Sequence, residues 1–315
     1  MTAQLIDAIT GVYLWAERYD RDLQDLFALQ DEITLKVLDS VQVKLIWGGD
    51  VSERIKSVEK YFRGKQGLDC YLKLMEANAT RLRGSIESNN QARRMIEETM
   101  AMCPENPLRY AFLGWVYHQD YNLGNTKSPQ ETLDKAIELA QKALAIEETL
   151  TTAHVLLCHC HYKKGEFARA IAEGERAVAL SPGYISALNA HALSLTFSGR
   201  AEEAIPIFQK AIRRSPFSDA YSYRDFGFAL RHAGRLGEAL SNFKKAIQIA
   251  PDDMLAHLGL TGVYIMLGHE KEARAEAAEV LRINPKFSVD NYKKFLPDTP
   301  ETDRYIGNLH KAGLK

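Results

Sequence analysis

Four prolines, Pro182, Pro216, Pro251 and Pro285, recur at intervals of 34, 35 and 34 residues. A glycine stands 17 positions before each (Gly165, Gly199, Gly234, Gly268) and an alanine 12 before (Ala170, Ala204, Ala239, Ala273). Five positions before each proline lie Ala177, Ala211, Ala246 and Val280. Each unit holds two stretches of apolar periodicity, both about a helix long. The glycine allows the turn that ends the first helix, the alanines let helices approach closely, and the proline stops the second helix. One such pair cannot bury its own apolar face, so successive pairs must stack into a solenoid.

This register resembles that of tetratricopeptide repeats. With the repeat's eighth position set on Gly227 of "YRDFGFALRHAGRLGEALSNFKKAIQIAP", Phe243 and Ala246 fall on second-helix positions and Pro251 closes the unit. "YAFLGWVY" repeats the first-helix signature at Leu113, Gly114 and Tyr117, before an insertion, "YNLGNTKSPQ". A weaker unit, with Ala92 in place, ends at Pro104. Six units are expected, starting near residues 67, 107, 151, 185, 220 and 254. The implied fold is all-α, a right-handed superhelical solenoid over 67–287 capped by helices in 288–315, after a linker or helix in 51–66. A pentatricopeptide RNA reader has nearly the same period, but it binds a polyanion and should be basic. This chain carries a net charge of −1 and has a pI near 6.8, so no nucleic-acid partner is expected.

The rest of the composition narrows the class. Of 315 residues, 46% are apolar and 26% charged, enough for a sizeable core. No apolar run is long enough to span a bilayer, and the N-terminus lacks a secretory pattern, so a cytoplasmic, non-membrane protein is expected. Cys70 and Cys103 show no paired framework, so all four thiols read as free in a reducing compartment.

"LLCHCHYKKG" places Cys158, His159, Cys160 and His161 in succession and raises the question of a metal site. On a helix, Cys158 and Cys160 point about 200° apart. His154, Cys158 and His161 do share a face, but the register turns it toward partner helices. Cys158 takes the slot of Gly227 or Ala192, and His161 that of Tyr117 or Tyr264. Core packing is therefore expected, with no metal and no cofactor.

Residues 1–50 break the period. "TAQLIDAITGVYLWAERY" reads as a small N-terminal β-hairpin around Thr10-Gly11, followed by a helix with Leu26, Leu29, Ile33, Val37, Val41 and Leu45 on one stripe. "TAQLIDAITG", "LWAERYDRDL" and "LFALQDEIT" resemble the closing part of the TolB-like domain of bacterial signalling proteins. There it stands before tetratricopeptide repeats, often behind a class III nucleotide cyclase or a winged-helix DNA-binding domain. "YIGNLHKAGLK" is similar to the tail of the cyclase-linked proteins. The chain is thus expected to be the C-terminal part of a longer architecture. An isolated hairpin exposes two edges, which suggests a homodimer through it.

The family's concave face uses the second, fifth, ninth, twelfth and thirteenth positions of each first helix. Carried onto this chain, the resemblance implies a groove of Trp115, His159, Tyr162, Lys163, Asn189, Phe197, Arg224, Phe228 and Arg231. Aromatics and arginines are frequent interface anchors, so a protein or peptide ligand with acidic and apolar side chains is expected. The Lys–Asn pair of a chaperone-type carboxylate clamp is absent from the third and fourth units. No phosphate loop or nucleophile elbow appears. The expected function is a non-catalytic interaction and regulatory module of a bacterial signalling protein. The alternatives are a sensor module of a transcription regulator, or an enzyme with an unrecognised site.

Overall fold

The structure is a computed structural model that describes residues 2–6, 13–18, 64–214 and 220–315. Thr2–Ile6 (β1) and Tyr13–Arg18 (β2) pair antiparallel, with Leu5 opposite Trp15. Thr10-Gly11 and the stripe from Leu26 to Leu45 lie outside the described residues.

From Gly64 onward the described residues form a helical solenoid of consecutive antiparallel pairs. The first pair is Gly64–Arg81 (α1) with Ile86–Met102 (α2), and the second Pro107–Asn122 (α3) with Pro129–Ile146 (α4). Thr151–Lys163 (α5) pairs with Phe167–Leu180 (α6), and Ile185–Phe197 (α7) with Ala201–Arg214 (α8). Ala220–His232 (α9) pairs with Leu236–Ile249 (α10), and Met254–Met266 (α11) with Glu270–Ile283 (α12). The ten-residue insertion is largely absorbed by longer helices: α3 has 16 residues where α5 has 13.

The recurrent glycine does a specific job. Gly165 has φ of 75°, a left-handed conformation that costs a side-chain-bearing residue free energy. Its N–H donates to the Tyr162 carbonyl, and the next N–H, of Glu166, reaches back to the His161 carbonyl. These two bonds are a Schellman end, and they satisfy carbonyls that the helix leaves free. The same back-bond recurs from Arg200 to Leu195, Arg235 to Leu230 and His269 to Tyr264. Ala170, Ala204, Ala239, Ala273, Ala177, Ala211, Ala246 and Val280 are all fully buried where helices cross.

Packing is close around Phe243 on α10. Its ring lies between Gly227 of the same unit and Gly259 of the next. A Cβ at Gly227 would sit 2.8 Å from the ring, and one at Gly259 only 2.5 Å. A side chain at either position would force the ring to move, which explains glycine at the eighth position of the first helix in this unit, Gly227, and at the sixth in the next, Gly259.

Val289–Lys293 (α13) and Pro300–Lys311 (α14) end the chain. Tyr305, Ile306 and Leu309 of α14 are buried against the last pair. The segment between the two helices does more than cap. It crosses the concave face, where the Phe295 ring meets Tyr121 of α3 edge-on at 5.1 Å.

One expectation is corrected. Cys70 and Cys103 form a disulfide, with their Cα atoms 6.3 Å apart. They are 33 residues apart in sequence, and the antiparallel turn from α1 to α2 brings them together. The free-thiol argument for a reducing compartment therefore applies only to Cys158 and Cys160. No helix among the described residues is long and apolar enough to cross a membrane.

Candidate functional site: the concave groove

The first helices of the units line one cavity of about 1290 Å³, which the C-terminal segment partly encloses through Tyr292, Phe295, Leu296 and Tyr305. All nine residues named for the groove line it. They reach it from α3 (Trp115), α5 (His159, Tyr162, Lys163), α7 (Asn189, Phe197) and α9 (Arg224, Phe228, Arg231). Their rings form a continuous series. Trp115 meets His159 at 5.4 Å, His159 meets Tyr162 at 5.6 Å, Tyr162 stacks on Phe197 at 5.3 Å, and Phe197 meets His232 at 5.4 Å. From Trp115 on α3 to His232 on α9 the series steps through successive units, so it follows the groove.

The charges are arranged differently from the simple sequence picture. Arg224 was expected to face an acidic ligand, but it is already compensated. Its Nη2 lies 2.9 Å from Asp225 Oδ1, and its Nη1 lies 3.3 Å from Asp253 Oδ2. Burial alone would lower its pKa, yet the two carboxylates outweigh that and raise it. Asp253 also caps α11, accepting from the N–H groups of Leu255 and Ala256 at 3.1 Å each. Arg231 is 4% exposed, with its guanidinium 4.2 Å over the Tyr305 ring. Its Nη2 donates to His232 Nε2 at 2.9 Å, while Nε and Nη1 have no partner among the described residues.

Further cations, without a carboxylate partner among the described residues, lie toward the other end. Lys163 has its pKa lowered to about 8 by burial and by the neighbouring Arg224. Arg81, in the last turn of α1, is 9% exposed and shifted down to about 10 by burial. His118 on α3 is held well below the ordinary imidazole range by burial and by His159, Lys163 and Arg81. Sequence reasoning missed Arg81 because the first unit is degenerate and its register was not carried into the groove.

The Cys–His run is divided between environments. Cys158 is fully buried and its Sγ donates to the Ala190 carbonyl at 3.3 Å. Burial pushes its pKa up to about 12, so the thiol stays protonated. His161 bonds Glu166 Oε2 at 2.7 Å, and His154 sits between Glu173 Oε2 (2.6 Å) and the Glu148 carbonyl (3.0 Å). No group of three or more His, Cys, Asp or Glu with metal-holding geometry occurs among the described residues. Cys158→Ala removes one atom and one weak bond from a packed slot, so it is expected to cost about 1 kcal/mol in a denaturant titration. Stoichiometric zinc in the purified protein, lost in that variant, would contradict the packing role.

Comparison with known proteins accords with this geometry. Residues 183–252 and 230–295 each match a tetratricopeptide repeat family. A curated relative, putative adenylate cyclase 3 of Rhizobium meliloti (strain 1021), is 35% identical over 158 residues. That alignment covers 50% of this chain and 26% of the relative, so the chain spans only about a quarter of the relative's length. Among solved structures, TTC0263, a thermophilic TPR protein of Thermus thermophilus, is 24% identical, with a TM-score of 0.50, over 65% of this chain and 98% of that one. The APC/C hetero-tetramer Cut9–Hcn1 superposes with a TM-score of 0.57 and 16% identity over 91% of this chain and 55% of that one. The periodic glycines and alanines, the stacked helix pairs and the two family matches converge: residues 183–295 carry tetratricopeptide repeats, within a solenoid of helix pairs that starts at Gly64.

Proposed function

We propose that this chain is a non-catalytic interaction and regulatory module of a bacterial signalling protein, and that its groove binds an extended segment of a partner. The observation that carries this reading is the series of rings from Trp115 to His232, which follows the groove from one unit to the next. Such a surface offers apolar contact at each unit, with basic groups along it for acidic side chains. The cyclase name of the curated relative supports a signalling context, in which the repeats regulate or recruit while another domain does the chemistry. The resemblance of residues 1–50 to the end of a TolB-like domain points to the same setting.

The test is photo-cross-linking from position 197 in the full chain, with Lys210 on the exposed side of α8 as the control position. Cross-links at 197 and not at 210 are expected, to a peptide with acidic and apolar residues. Trp115→Glu combined with Phe197→Glu is expected to weaken binding of that peptide at least tenfold, as loss of two anchor rings does. Equal cross-linking at both positions, or unchanged affinity, would place the binding surface elsewhere.

A further inference from the structure

Where α1, α3 and α5 meet, the cavity wall has a chemical character of its own. The rings of Trp115, His118 and His159 form a triangle with centroid separations of 5.2, 5.4 and 5.4 Å. The Arg81 guanidinium lies 5.4 Å over Trp115. Lys163 Nζ lies 5.5 Å from the Tyr162 ring and 5.9 Å from that of Tyr121.

Hydrogen-bonding capacity is left over in this wall. Arg81 Nη2 donates to Asn78 Oδ1 at 2.9 Å, but Arg81 Nε has no partner among the described residues. His118 shares Nδ1 with Asn122 at 3.3 Å, and its Nε2 has none; nor does His159 Nδ1. Lys164 next door pairs with Asp134, whereas Lys163 makes no ion pair among the described residues.

The acids of the cavity are engaged with other cations, and only Asp225 acts on one of these, favouring charged Lys163 while it holds Arg224. Among the described residues four carboxylates line it: Asp225, Asp252, Asp253 and Glu301. Asp225 and Asp253 hold Arg224, Asp252 holds Arg282, and Glu301 holds Arg304. Burying unpaired cations and unsatisfied polar atoms is costly unless a ligand completes them. A guanidinium and an ammonium converging with imidazoles suit an oxyanion, because every group can donate to it. Beside them, the stacked Tyr162 and Phe197 are inclined by only 3° and offer a flat apolar surface.

We propose that Arg81, His118, His159 and Lys163 form a subsite for one anionic group, a carboxylate or a phosphate, carried on an aromatic or apolar body that lies along Tyr162 and Phe197. The proposal rests on the groove being the ligand surface, and it specifies the chemistry of one end of that ligand. On a peptide the anion is an acidic side chain, a terminal carboxylate or a phosphorylated residue.

The test is isothermal titration of the full chain with phenyl phosphate and phenylacetate, against benzyl alcohol and benzylamine. For ligands of this size a single saturable site with Kd of about 1 mM is expected for the anions. The neutral and cationic analogues should bind at least tenfold more weakly. The tighter of the two anions identifies the natural group. Arg81→Gln with Lys163→Gln should lose at least tenfold in anion affinity, while Lys164→Gln should not. A second measurement needs no variant: saturating phenyl phosphate should slow amine acylation at Lys163 and leave Lys164 unchanged, read by mass spectrometry. Benzyl alcohol binding as tightly as the anions would overturn the proposal. So would no saturable anion binding up to about 20 mM, well above the affinity expected at this ligand size, or no protection of Lys163. Cross-linking from position 197 separates the two readings. Peptide capture without anion binding removes this subsite and keeps the groove. Anion binding without capture keeps the subsite and removes the peptide reading.

Discussion

Lowering the pH from 7 to 5.5 is expected to remove up to about 4 kcal/mol of stability, well before carboxylates protonate. The main cause is three imidazoles held neutral in the fold, and burial lowers His191 in the same direction. Burial, with cations nearby, lowers His159 and His232 to about 3 and His118 well below its usual value. The His232 ring also accepts a bond from Arg231, which a protonated ring could not do if Nε2 carried the proton. The unfolded chain takes up these protons near pH 6.5 and the folded chain does not. Stability contributed by such groups is therefore present above 6.5 and is lost as pH falls from there toward 3. Three protons give a slope approaching 4 kcal/mol per pH unit. His257 has the opposite sign. Burial lowers its pKa, but Glu276 and the Pro251 carbonyl outweigh this and raise it, so its contribution is full below 6.5 and fades as pH climbs through the raised value. Melting temperature against pH should thus peak near neutrality and fall steeply on the acid side. His159→Gln and His232→Gln should each reduce the acid slope by up to about a third. A flat profile between pH 7 and 5.5 would contradict the neutral burial of these rings.

Phe243→Ala is expected to cost about 3–5 kcal/mol, because it empties a fully buried ring site shared by two units. Phe228, which meets the ring edge-on at 5.1 Å, loses its partner as well. Gly259→Ala alone should cost about 1–3 kcal/mol through overpacking against that ring. In the Phe243→Ala background the added methyl meets space, so its cost should vanish or change sign. A double-mutant cycle by urea denaturation measures this coupling. Additive costs would mean that the close approach of α10 and α11 does not depend on the missing Cβ.

The repeat was legible because helix–helix distance allows few side chains at the crossing points. A glycine or alanine there is a steric requirement, and its period survives when surface residues vary. The nine groove residues could be located from the same register. Their electrostatic state could not. The adjacent Asp225 supplies part of the compensation of Arg224, but the rest comes from Asp253, 29 residues further on, an N-cap of the next unit that faces back across the unit boundary. Arg81 and the Cys70–Cys103 bond lie in the first pair, where the pattern is weak and gives no register to read from. The crossing of Phe295 to Tyr121 has no periodicity behind it. "KKFLP" shows an apolar pair in a polar tail, which marks burial without naming the distant surface that supplies it.

That crossing also sets an order of events in folding. Nearly every other contact joins a helix to its neighbour or next neighbour, so the array can grow by local propagation. Tyr121 and Phe295 are separated by 174 residues (295 − 121) and meet only after the intervening units have stacked. By then the array is rigid, so the step that remains is the docking of the short segment between α13 and α14, which no helix pair of the array requires. The strap is therefore the last part of the fold to form and the first to open, so the interior of the groove exchanges with solvent faster than the array that builds it.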